Sequence, residues 1–143
     1  MFKTILVPVD DTEVSAKAVK TASELAEQLR SSLLLVHCLE PLPTYTGNVA
    51  VYLPEGELDR AAAAYGQSIL DKYAESLPKG DHKTLLHRGD KKAWREVLNV
   101  AANHHADVIV MGTHGREGLS HALLGSVAER VARHAEVPVM LVR

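Results

Sequence analysis

Short apolar runs alternate along this chain with segments of helical period, and that alternation constrains the fold more than any other feature. Ile5-Leu6-Val7-Pro8-Val9, Leu33-Leu34-Leu35-Val36, Asp107-Val108-Ile109-Val110-Met111 and Val137-Pro138-Val139-Met140-Leu141-Val142 are such runs, and Lys83-Thr84-Leu85-Leu86-His87 is a weaker fifth. Continuous apolar stretches, rather than strict polar–apolar alternation, suit strands buried on both faces, as in a parallel sheet covered by helices. Between the runs, Val14, Ala18, Ala22, Leu25 and Leu29 step by three or four residues and form one helical face. Leu58, Ala62, Tyr65, Ile69 and Tyr73 repeat the pattern, followed by Trp94, Val97, Leu98 and Ala101, and then by Val127, Val131 and Ala135.

Strand and helix in strict alternation predict an α/β fold, a doubly wound parallel sheet with right-handed crossovers. The expected architecture is one domain, residues 1–143, with five parallel strands in the order 3-2-1-4-5 and helices on both faces. A chain of this length lies within the usual range of about 100–200 residues per domain. Aromatic residues make up only 4%, so Ala, Val, Leu and Ile must build the core.

Sixteen Lys and Arg against 18 Asp and Glu leave a formal charge of −2. That balance gives no broad electrostatic grip on nucleic acid or an anionic membrane. Cys38 is the single cysteine and has no intrachain partner, which fits a reducing compartment. Met1-Phe2-Lys3-Thr4 leads straight into an apolar run without a signal-peptide pattern. No apolar stretch reaches the ~18 residues of a membrane span. A cytoplasmic location without membrane insertion is expected. Eight histidines raise the question of metal, but His104 and His105 diverge on a helix. His114 and His121 lack the spacing of a helical zinc pair, so no protein-held metal is expected.

In an open α/β sheet, ligands bind beyond the carboxyl ends of the strands, where strand order reverses. Pro8-Val9-Asp10-Asp11, His37-Cys38 and Gly112-Thr113-His114-Gly115 occupy those ends. The last of these opens a glycine-rich connection to Gly125-Ser126 and a helical pattern. Glycine lets a backbone approach a phosphate closely and adopt positive φ, and a helix start offers free N–H groups with the dipole behind them. Ser126 has two candidate roles, capping that helix or donating its hydroxyl to a phosphate. Residues 40–54 hold three prolines and show neither period; the stretch is either a plain connection or a lid over a site.

Neither a Walker A loop nor a Gly-x-Gly-x-x-Gly after the first strand occurs. Gly112, Gly115, Gly125 and Ser126 instead form Gly-x2-Gly-x9-Gly-Ser, a pattern that chance gives in roughly half a percent of chains this long. This resembles the ATP-binding signature of the universal stress protein family. Asp10-x-Thr12-x-x-Ser15-x-x-Ala18 is similar to that family's start of helix one, and the tail from Val137 to Val142 to its last strand. The turn at Gly89-Asp90-Lys91-Lys92 departs from the family's Gly-x-Pro.

The resemblance implies a bound ATP accompanied by Mg2+. Asp10 would contact the nucleoside, with capping of helix one, alone or through Asp11 or Thr12, as its competing role. Pro8, Val9, Met111 and the backbone near Cys38 would line the adenine pocket. Gly112, Gly115, Gly125, Ser126 and Val127 would wrap the phosphates, and Arg116 would add charge. It further implies a homodimer through the last strand, from Val137 to Val142, and a nucleotide-dependent stress-response switch acting on an unidentified regulated protein. Weak or no hydrolysis is expected, since no catalytic residue can be assigned although His114 and Arg116 are candidates. The alternatives are a slow ATPase and a dimeric adaptor that does not use nucleotide. A response-regulator receiver is excluded, because His87-Arg88 stand where its acceptor aspartate should be and the last strand lacks its lysine.

Overall fold

The computed structural model describes residues 2–40, 56–114 and 124–143. Along the chain run β1 (Thr4–Pro8), α1 (Glu13–Leu29), β2 (Ser32–Leu39), α2 (Glu57–Ser76), β3 (His82–Arg88), α3 (Ala93–Asn103), β4 (Val108–Gly112), α4 (Ser126–His134) and β5 (Val139–Val142). The sheet has the order β3-β2-β1-β4-β5, and every pairing is parallel. Both the architecture and the strand order agree with expectation. Of the long connection at residues 40–54, only Glu40 belongs to the described residues.

Each apolar run divides its side chains between two layers. Ile5, Val7, Leu33, Leu35, Val108 and Val110 meet α1 and α2 through Ala18, Val19, Ala22, Ile69, Leu70 and Tyr73. Leu6, Leu34, Val36, Ile109 and Met111 meet α3 and α4 through Val97, Val100, Ala101, Ala128 and Val131. Ile5, Leu6, Leu35 and Ile109 are fully buried, and each such side chain contributes about 1.5–3 kcal/mol. Right-handed crossovers place α1 and α2 on one face as the chain steps outward to β3, and α3 and α4 on the other as it steps back to β5. β1 pairs with both β2 and β4, so strand order reverses between β1 and β4, and their carboxyl ends form the switch point.

Periodicity misplaced some side chains. Leu29, Leu58 and Tyr65 were expected on buried faces but are 45%, 53% and 45% exposed. Leu29 is the last residue of α1, beside the left-handed Arg30 that ends the helix, and Leu58 stands in the first turn of α2. The α2 surface that packs is Gly66, Ile69, Leu70 and Tyr73. On α3 the buried face is Glu96, Val97, Val100 and Ala101, rotated from the apolar stripe because it includes a carboxylate. On β5, Val139 and Leu141 pack toward α3 and α4 and Val142 toward the opposite layer, leaving Met140 as the exposed apolar side chain.

Candidate functional site

Beyond β1 the chain turns through a set of short-range bonds. The Asp10 N–H donates to Ser15 Oγ at 3.0 Å, and Asp10 Oδ1 accepts the Thr12 N–H at 2.9 Å and the Thr12 hydroxyl as well. Thr12 is the N-cap of α1, its Oγ1 accepting from the Ser15 N–H at 3.2 Å. Capping therefore belongs to Thr12, and Asp10 orients the capping residue. Its second carboxylate oxygen meets no donor among the described residues, which leaves it able to receive one.

The α2 helix holds this turn from above. The Tyr73 hydroxyl donates to the Asp10 carbonyl at 2.9 Å, and Tyr65 donates to the Asp11 carboxylate. His37 Nδ1 donates to the Val9 carbonyl at 2.8 Å. A Cβ at Gly66 would stand 2.6 Å from His37 Cδ2, so only glycine lets α2 lie this close. Burial, opposed by a hydrogen bond to Ser15, pushes the Tyr73 phenol above its ordinary range, and Asp10 and Asp11 add to the rise.

Across the switch point, Gly112 ends β4 against the first turn of α1. A Cβ there would lie 2.7 Å from Val14 Cγ1. The buried Thr113 ties three elements together: its N–H donates to the Val142 carbonyl at 2.9 Å, and its own carbonyl accepts the Gly125 N–H at 2.7 Å. Gly125 is the N-cap of α4 with φ −61° and ψ 152°, and no side chain caps the helix among the described residues.

The Gly125 N–H is given to the Thr113 carbonyl, and the residue's φ is not positive. Its requirement is steric, since a Cβ would come within 2.9 Å of His114 Cα. Ser126 does not cap α4; it is the first helical residue. The N–H groups of Ser126 and Val127 still belong to a first turn, which has no intrahelical acceptors for them.

Toward α3 lies a buried carboxylate that no sequence pattern marked. Glu96, 3% exposed, bonds His87 Nε2 at 2.7 Å through Oε2 and accepts the Lys91 N–H at 2.9 Å through Oε1. The bond from His87 is the main cause holding its carboxyl below the ordinary range, against the opposing effect of burial. Gly89 leaves room for it, since a Cβ there would sit 2.1 Å from Glu96 Cδ. Cys38 is close by, and burial, followed by Glu96 and Glu40, pushes its thiol up to about 12. It is an inert thiol at neutral pH. A sequence signal for Glu96 existed only in hindsight: it breaks the apolar stripe of α3 one turn before Val100.

Pro8, Val9 and Asp10 on one side and Met111, Gly112, Gly125, Ser126 and Val127 on the other thus converge on the switch point, with Cys38 one strand away. Val9 and Met111, each 5% exposed, are mostly core and offer a ligand little surface. Gly115 and Arg116 lie outside the described residues. Among the described residues no helix is long and apolar enough to cross a membrane.

The universal stress protein family matches residues 1–143. The universal stress protein YxiE of Bacillus subtilis is 31% identical over 149 residues, covering 100% of each chain. The solved structure of the hypothetical protein MJ0577 is similar with TM-score 0.81 at 25% identity, covering 99% of this chain and 96% of that one. A universal stress protein solved in complex with cAMP shares the fold with TM-score 0.72 at 23% identity, over 99% of this chain and 97% of its own.

Proposed function

This chain belongs to the universal stress protein family, and we propose that it is an ATP-binding regulatory switch with weak or no hydrolytic activity. The observation that carries the reading is the convergence of two features at the switch point. One is the Asp10 carboxylate, oriented by Thr12 with an oxygen to spare. The other is the α4 start, uncapped among the described residues, at the end of a Gly-x2-Gly-x9-Gly-Ser connection. The carboxylate suits ribose hydroxyls, and the first-turn N–H groups with the helix dipole suit phosphate. Mg2+ would arrive with ATP rather than be held by the protein.

Fast hydrolysis requires a base or orienting group for water together with charge stabilisation. Of the two candidates, His114 lies within 3.1 Å of Thr113 Oγ1 through its Nδ1. The proposal also includes a cytoplasmic homodimer paired through the β5 edge, in which nucleotide occupancy controls a regulated protein.

The test is calorimetric titration of ATP with Mg2+ into wild type and Gly115→Val, with released phosphate assayed on the same samples. Binding that is lost in the variant, without matching phosphate release, supports the switch. Wild type that binds no nucleotide overturns it in favour of a dimeric adaptor. Rapid phosphate release replaces it with an ATPase.

A further inference from the structure

A cleft of about 610 Å³ opens between the first turns of α3 and α4, and the proposed phosphate-binding residues Ser126 and Val127 form one of its walls. The opposite wall carries Lys91, Lys92 and Trp94, and Arg130 closes it one turn along α4. We propose that this cleft takes the terminal phosphates of the nucleotide, so that Lys91, Lys92 and Arg130 make the protein select nucleotides by phosphate number. The inference rests on the nucleotide reading above and deepens it.

The cations are held in place by identifiable means. Glu96 fixes the β3–α3 turn by accepting the Lys91 N–H at 2.9 Å, so two consecutive lysines enter α3 at a defined position. Trp94 stacks on His134 with ring centroids 5.1 Å apart, and the Arg130 guanidinium lies 5.7 Å from the Trp94 ring centroid. Arg95 lies over the same ring at 5.0 Å, and a contact of this kind leaves the Arg130 charge unneutralised. Two exposed arginines carry a carboxylate partner, Arg88 with Asp59 at 2.7 Å and Arg133 with Glu129 at 2.8 Å. Among the described residues, Lys91, Lys92 and Arg130 have no such carboxylate.

Glu40 and Asp90 also border the cleft, so three cations face two carboxylates. The balance is positive. A monophosphate anchored at Ser126 would bring a single phosphate to this wall of the cleft. Each added phosphate carries more negative charge toward the cations, and a cyclic nucleotide carries the least.

Trp94 is the sole tryptophan and lines the cleft, so its fluorescence reports occupancy directly. The experiment titrates AMP, cAMP, ADP and ATP, each with Mg2+, into the full chain. The variants are Arg130→Gln and the triple variant Lys91→Gln/Lys92→Gln/Arg130→Gln. Exposed charge contacts are individually modest, so wild type should bind ATP on the order of tenfold more tightly than AMP. The triple variant should bring ATP affinity down to within about threefold of AMP, with Arg130→Gln intermediate. A triple variant that keeps the wild-type ratio, or wild type that binds AMP or cAMP as tightly as ATP, overturns the inference while leaving nucleotide binding intact. Absence of binding by all four nucleotides, checked by calorimetry, removes the underlying reading and the inference with it.

Discussion

The Tyr73 hydroxyl on α2 reaches across 63 residues of sequence to donate to the Asp10 carbonyl at 2.9 Å. The helix that follows the long connection is thereby tied to the turn that carries the proposed nucleoside contact.

Tyr73→Phe removes this donor and keeps the ring, which is only 6% exposed. Stability should fall by about 1 kcal/mol in urea unfolding, and nucleotide affinity should weaken several-fold because the Asp10 turn loosens. The raised phenol adds a pH signature. Between its ordinary value of 10.0 and the raised one, the unfolded chain binds fewer protons than the native protein. Wild-type stability should therefore decline with rising pH through that window, a decline that Tyr73→Phe should lack. Unchanged affinity in a destabilised variant would show that the latch serves the fold alone.

Glu96 should govern acid stability. Its folded carboxyl lies below the ordinary 4.5, so its stabilisation is fully present above that value and is lost as pH falls through the lowered one. Glu96→Gln cannot be ionised and leaves His87 and Lys91 with a poorer acceptor, which should cost about 1–3 kcal/mol at pH 7. Urea unfolding from pH 6 to pH 3 should show a steeper loss for wild type than for the variant. Parallel pH profiles would assign the acid sensitivity to another group.

Ser126→Pro tests the α4 start without breaking the helix. Proline is favoured at a first helical position, and Gly125 before it already has the extended ψ of 152° that proline demands of its predecessor. The substitution removes one N–H and one hydroxyl from the proposed phosphate cradle. Far-ultraviolet circular dichroism and melting temperature should stay close to wild type while ATP affinity falls about tenfold or more. Full affinity in the folded variant would move the phosphates away from Ser126.

Met140→Glu probes the proposed dimer at the β5 edge. Met140 is 39% exposed, whereas Val139, Leu141 and Val142 pack into the two layers beneath. A charge at Met140 therefore opposes edge pairing without entering the core. Light scattering should find a dimer in wild type and a monomer in the variant, with similar unfolding midpoints at low protein concentration. A dimer that survives the change places the interface elsewhere.

The alternation of apolar runs with helical segments determined the fold class, the number of elements and the split of each strand between two layers. Burial on both faces of a strand leaves a direct trace in composition, as Ile5-Leu6-Val7 shows. The glycine and serine spacing after β4 likewise pointed to the connection between β4 and α4. Only the tertiary structure decided what individual polar groups do there. Thr113 takes the Gly125 N–H, Thr12 rather than Asp10 caps α1, and the carboxylate of Glu96 is buried between β3 and α3. The physical reason is the reach of each signal. Periodicity records how one element faces the core, residue by residue along its own axis. A hydrogen bond such as Tyr73 to Asp10 depends on two elements brought together by the path of the whole chain, and no local pattern records that meeting.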